Sequence, residues 1–207
     1  MDGVLADFFT AWYELVHVKH WKEIKDPNQA IQDIAEYQKS TGKNWWAGLK
    51  RLPNADNLIA AISKYGSYRI LTKAPSSDSE HAVPAKKAWP KKHLKIQPIE
   101  IIVVTGSKDI YAKNSDGSSN ILIDDFGKNI KSWRHAGGIA IKYEDRNAHE
   151  SILELQQLMG KLGESKLIKA PNDSNIPHSM KAAKGKSKPS KSGSQKNINR
   201  GKLVGTC

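Results

Sequence analysis

Between Tyr68 and Met159, short apolar runs alternate with amphipathic stretches, and this alternation constrains the fold more than any other sequence feature. Tyr68 to Thr72, Glu100 to Thr105, Asn120 to Asp124 and Ile139 to Tyr143 read as strands, apolar almost without interruption. Strands with one wet face would alternate apolar and polar residues, whereas parallel strands covered on both faces are apolar throughout. The stretches between them read as helices. Pro84 opens a basic helix to about Leu94, which Pro90 should kink or split. Lys128 to His135 is a second, stopped by Gly137-Gly138, and Ala148 to Met159 a third, ending before Gly160. The expected class is α/β, a Rossmann-like parallel sheet with helices on both faces.

The first third of the chain is more helical. Phe8 to about His20 carries apolar residues at 8, 9, 12, 15 and 16, a helical spacing. Asp26-Pro27 has the form of an N-cap followed by proline in the first turn, with Ile31, Ile34, Ala35 and Gln38 on one face as far as Thr41-Gly42. Lys43 to Leu52 reads as irregular. Pro53 starts another helix, striped by Ala55, Leu58, Ile59 and Ile62 and closed by Gly66.

At 207 residues the chain holds one ordinary domain with a small insertion. Its net charge of +12 is unevenly spread, because from Lys161 onward eleven Lys and Arg face only two Asp and Glu. The basic character therefore belongs mostly to the end of the chain. Beyond Gly163 there is no Phe, Trp or Tyr, and such a segment buries too little apolar surface to offset its ordering entropy. Residues 163–207 are expected to be a disordered basic tail. A single cysteine, Cys207, excludes an intramolecular disulfide and fits a reducing compartment. No apolar window approaches a membrane span and no signal-like start is present, so the expectation is a cytoplasmic protein without membrane contact.

Ligands of open α/β sheets bind at the carboxyl ends of the strands, and the chemically capable residues gather there. Asp2 and Asp7 lie in the first loop, Thr72 ends one strand, Asp124-Asp125 end another, and Lys86 lies near the start of the intervening helix. Each has an ordinary explanation when taken alone. Asp-Gly makes turns, Thr favours strands, and Lys86 belongs to a run with Lys87, Lys91 and Lys92 that suits a solvated face. Asp124-Asp125 is harder to dismiss, since adjacent carboxylates at a buried strand end repel each other without a cation. Carboxylates suit a hard ion such as Mg²⁺, and a hydroxyl and an ammonium suit phosphate oxygens. The seven histidines show no metal-ligand spacing.

Asp2-Gly3-Val4-Leu5-Ala6-Asp7-Phe8 resembles the first motif of the haloacid dehalogenase superfamily, Asp-x-Asp-Gly-x-x-x-Asp, with Met1 on the first x. From Met1 to about Tyr143 the chain is similar to the 5'-nucleotidase branch that includes the 5'(3')-deoxyribonucleotidases and phage-encoded members. The other carriers are Leu52 to Ala55, Ile70 to Pro75, Lys86 to Trp89, and Ile121 to Asp125 with Asn129-Ile130 and Gly137-Gly138 behind it. The resemblance implies a Mg²⁺-dependent phosphatase acting on nucleoside monophosphates. It gives Asp2 the role of general acid and, through its backbone carbonyl, of metal ligand. It gives Thr72 and Lys86 phosphate binding, and Asp124 and Asp125 the metal. It makes residues 1–20 and 53–162 the core and 21–52 a small cap, where Trp45 and Trp46 either stack on the nucleotide or pack the cap. Lys73, in place of a small hydroxyl residue, and Pro90 depart from the pattern and bear on specificity.

The first Asp of the motif, the family's nucleophile, falls ahead of Met1, as does the central strand that precedes it. A central strand is worth on the order of 5–15 kcal/mol, so the expectation is a poorly folding body and an impaired or inactive enzyme in the form written. Either the reading frame begins upstream, or this is a decayed or repurposed copy. Two alternative functions follow from the same residues. One is a nucleic-acid binder acting weakly and non-specifically through the basic tail. The other is a phosphatase for a different phosphate ester.

Overall fold

A computed structural model describes residues 1–18, 23, 29–168 and 203–205. Five strands form one sheet: β1 (Tyr68–Lys73), β2 (Glu100–Val104), β3 (Ile121–Asp124), β4 (Ile139–Lys142) and β5 (Leu203–Gly205), in the order β2-β1-β5-β3-β4. Every pairing is parallel. Side chains alternate between two cores. Ile70, Ile121, Ile123 and Ile141 face the larger one, whereas Leu71, Leu122 and Ala140 face the smaller. Both faces are thus covered at β1, β3 and β4, which is why these strands read as continuous apolar runs, whereas β2, expected to be buried, is an edge strand with Glu100 exposed and the rest half-buried.

Six helices are described: α1 (Phe8–Leu15), α2 (Gln29–Thr41), α3 (Ala55–Ser63), α4 (Ser79–His93), α5 (Gly127–His135) and α6 (Ala148–Ile168). The larger core takes Leu58, Ile59 and Ile62 from α3, Trp89 from α4 and Leu155 from α6, and the smaller takes Ile130 and Trp133 from α5. Helix α5 stops where the sequence places its stop. Gly137 has φ +83°, and a Cβ there would meet the Lys113 side chain at 2.6 Å.

Three boundaries differ from expectation. Helix α4 begins at Ser79, five residues before Pro84, and runs through Pro90 as one element. Contacts just before Pro90 hold it: Lys86 pairs with Asp2, and Trp89 Nε1 donates to the Leu49 carbonyl at 2.7 Å. The side chain of Gln97 donates to the Pro90 and Leu94 carbonyls near the helix end. Helix α6 passes Gly160 and Gly163, because its apolar stripe continues through Leu158, Met159 and Leu162 against the larger core. Helix α1 ends at Leu15 rather than near His20, with Val16 as its cap and His17 at φ 57°. The Asp26-Pro27 cap lies outside the described residues, as do residues 169–202 of the tail.

The largest surprise is β5. Leu203–Gly205 pairs between β1 and β3, at the centre of the sheet. Its partners are Tyr68, Arg69 and Ile70 on one side and Ile121 on the other. Average composition did not reveal it, because a three-residue strand leaves almost no signal in a long polar segment. An open slot between two parallel strands exposes unpaired backbone donors and acceptors, which an extended segment satisfies. Among the described residues no helix is long and apolar enough to cross a membrane.

Candidate active site

The N-terminal loop is tied to itself and to the acidic pair. The Met1 carbonyl accepts from the backbone N–H groups of Leu5 at 2.8 Å and Ala6 at 2.9 Å, and Met1 is fully buried. Gly3 stands at φ +72°, and a Cβ there would lie 2.3 Å from Asp125 Oδ2. Glycine is required twice over, by the backbone conformation and by the carboxylate packed against it. Asp7 caps α1, its Oδ1 accepting from Thr10 N at 3.2 Å.

Asp2 and Lys86 form an ion pair, with the lysine side chain completely buried. The Lys86 ammonium also lies 4.6 Å from the centroid of a Trp46 ring, a cation–π contact. Helix α4 positions this lysine by turning its Lys86–Trp89 face inward, whereas Lys87, Lys91 and Lys92 point to solvent. Lys86 is thus the member of the basic run that is not a solvated charge.

Thr72 and Asp124 lie at the carboxyl ends of β1 and β3, on either side of β5. Both are fully buried. Asp124 is densely satisfied. Its Oδ1 accepts from Phe126 N at 2.8 Å, both oxygens accept from Asn129 Nδ2 at 3.1 Å, and Oδ2 accepts from Lys108 Nζ at 2.9 Å. The repulsion expected between the adjacent acids is therefore relieved on one side by a lysine. On the other side, Lys142 Nζ contacts the Asp125 backbone carbonyl.

Two polar atoms at this rim, Thr72 Oγ1 and Asp2 Oδ1, are buried without a hydrogen-bond partner. Buried polar atoms left unsatisfied are costly and rare, so they mark a place for a ligand or ion. Among the described residues there is no cluster of three or more His, Cys, Asp or Glu side chains able to hold a metal by itself. Mg²⁺ does not need one, since it favours one or two carboxylates with water and substrate phosphate. Asp125 beside the first loop, together with Asp2, fits that requirement. A cavity of about 1040 Å³ opens beside Gly3, Asp7 and Asp125. A smaller one of about 520 Å³ lies between α1 and the 43–50 segment.

Contacts therefore join Asp2 to Lys86 and Gly3 to Asp125, while Thr72 and Asp124 stand at the ends of two strands separated by β5. Trp45 and Trp46 are both buried in the larger core. Their rings meet edge to face at 5.1 Å, and Trp46 stacks on Phe8 at 5.9 Å. Lys108 was not anticipated. Its sequence signal is weak: a polar Gly-Ser-Lys-Asp stretch after an apolar strand looks like any surface loop, and nothing local announces a lysine only 3% exposed.

The sequence model of the family "5' nucleotidase, deoxy (Pyrimidine), cytosolic type C protein" matches residues 1–156. The chain belongs to this family. It is a 5'-nucleotidase of the haloacid dehalogenase superfamily by descent, and the family is one of phosphatases acting on nucleotides. The chain is also similar to a solved structure, a hydrolase from Streptococcus pneumoniae TIGR4. That match has a TM-score of 0.45 and 12% identity, covering 77% of this chain and 95% of that one. No curated protein matches the chain. The family match begins at the Asp2-Gly3 loop and takes in Thr72, Lys86, Lys108 and the acidic pair. All of these residues lie inside the matched segment.

Proposed function

We propose that this rim is a Mg²⁺-dependent phosphoryl site for (deoxy)nucleoside monophosphates. The carrying observation is the pair of orphaned buried oxygens, Thr72 Oγ1 near the end of β1 and Asp2 Oδ1 on the carboxylate that pairs with buried Lys86. In this reading the Thr72 hydroxyl and the Lys86 ammonium bind the phosphoryl oxygens. Asp2 holds the proton that the leaving alkoxide takes up. Asp125, Asp124 and the Asp2 carbonyl are the candidate Mg²⁺ ligands. The bound ion would neutralise charge on the phosphoryl group. Trp45 and Trp46 define the cap side of the site, and their burial supports a packing role more than stacking on a base.

The attacking carboxylate of the family motif would stand immediately before Met1. A phosphoenzyme needs that carboxylate as its nucleophile. A version extended ahead of Met1 by an apolar strand ending in Asp is expected to release phosphate from nucleoside monophosphates with Mg²⁺, and not with chelator. The added strand would compete with β5 for the slot between β1 and β3. A well-folded extended protein that releases no phosphate from any nucleotide would refute the reading.

A further inference from the structure

Asp78 sits in the single 3₁₀ turn between β1 and α4 and is 3% exposed. Among the described residues no Lys or Arg pairs with its carboxylate; three neutral or titratable donors satisfy it instead. Trp46 Nε1 donates to Oδ2 at 2.6 Å, Gln38 Nε2 lies 3.2 Å from both oxygens, and His81 Nδ1 lies 2.8 Å from Oδ1. Two of these donors, Gln38 on α2 and Trp46 beyond it, come from the insertion that precedes the sheet. Gln38 reinforces the arrangement by accepting from Trp45 N at 3.1 Å.

The consequence reaches the rim. The Trp46 indole is pinned at its nitrogen by the Asp78 carboxylate, and its ring supports the Lys86 ammonium at 4.6 Å. Lys86 in turn is paired with Asp2. Cation–π attraction depends on the ammonium lying over the ring face, so a tilt of the indole would move the lysine. We propose that Asp78 is a positioning residue: through Trp46 it fixes Lys86 against Asp2, joining the helical insertion and the phosphate-binding lysine into one unit. The part concerning phosphate rests on the nucleotidase reading above; the part concerning Lys86 does not.

The test uses the full chain with isotope-labelled lysine, following the ε-methylene protons of Lys86, assigned by their disappearance in Lys86→Arg. In the parent protein these protons are expected upfield, because an aromatic ring current shields groups over its face. Asp78→Asn keeps the side-chain volume but leaves one acceptor oxygen in place of two for Trp46, Gln38 and His81. It is expected to lose at least half of the upfield displacement, and Asp78→Ala still more. Should Asp78→Ala fail to fold, the isosteric variant carries the test alone. A purely structural Asp78 would lower the melting temperature and leave the Lys86 signal in place; that result in a folded variant overturns the proposal.

A second arm measures dUMP affinity with Mg²⁺, where Asp78→Asn is expected to weaken binding about tenfold. In the double variant with Trp46→Phe the two losses should be less than additive. Full additivity there would contradict action through Trp46. A displaced Lys86 signal in a parent protein that binds no nucleotide would retain the positioning role and reject the phosphate reading.

Discussion

Lys108→Met is expected to lower stability by about 3–5 kcal/mol, since removing one member of a buried ion pair leaves the other charge uncompensated. The pair is between Lys108 Nζ and Asp124 Oδ2 at 2.9 Å, with side chains 3% and 0% exposed. Asp124 keeps its bonds from Phe126 N and Asn129, which places the loss nearer the lower bound. For a chain of this size the midpoint of thermal unfolding should fall by roughly 6–20 °C. The double variant Lys108→Met/Asp124→Asn removes both charges while keeping an acceptor for Asn129, and is expected to recover more than half of the loss. Urea denaturation of the four proteins in the cycle reads the outcome. A single variant as stable as the parent would mean that the pair bears no weight in the fold.

Val204→Pro carries the second large effect. Val204 is opposite Arg69 in the ladder between β1 and β5, and β5 is internal to the sheet. Proline removes its backbone N–H, and a proline ring is not tolerated inside a sheet. Each buried partner left unsatisfied costs about 1–3 kcal/mol, so the variant should lose roughly 2–5 kcal/mol in all. Hydrogen exchange would localise the effect, with the amides of Tyr68 to Ile70 in β1 and Ile121 in β3 losing protection together. Unchanged exchange at those positions would show that β5 contributes nothing to holding β1 and β3 together.

Much of this architecture can be read from the sequence, for identifiable physical reasons. Strands β1 to β4 are legible because both faces of a parallel sheet must be apolar, which leaves runs such as Asn120-Ile-Leu-Ile that no surface segment would carry. Helix ends set by backbone geometry are legible as well, as at Gly137. Tertiary contacts are not. Pro90 looks like a helix breaker until Lys86 and Trp89 before it, and the Gln97 bonds to the Pro90 and Leu94 carbonyls, are seen tethering the helix. Gly160 looks like a terminator until Leu162 is found packed beyond it.

The site divides the same way. Thr72 and Asp124 are expected at strand ends from the apolar runs that precede them, and the structure has them there. Lys108 and Asp78 cannot be read in this way, because each acquires meaning only from distant partners, Asp124 in one case and Gln38 with Trp46 in the other. Strand β5 is the extreme instance: its identity as a strand is a property of the slot between β1 and β3 rather than of its own three residues.

The central claim is that the rim seats a phosphoryl group with Mg²⁺, and calorimetric titration of the chain with dUMP tests it without requiring turnover. Binding is expected with Mg²⁺ present and to weaken at least about tenfold when chelator replaces the ion. Thr72→Val and Lys86→Met, both folded, are each expected to weaken it by a comparable factor. Absence of binding in the folded parent chain, or equal affinity in all three proteins, would contradict the account.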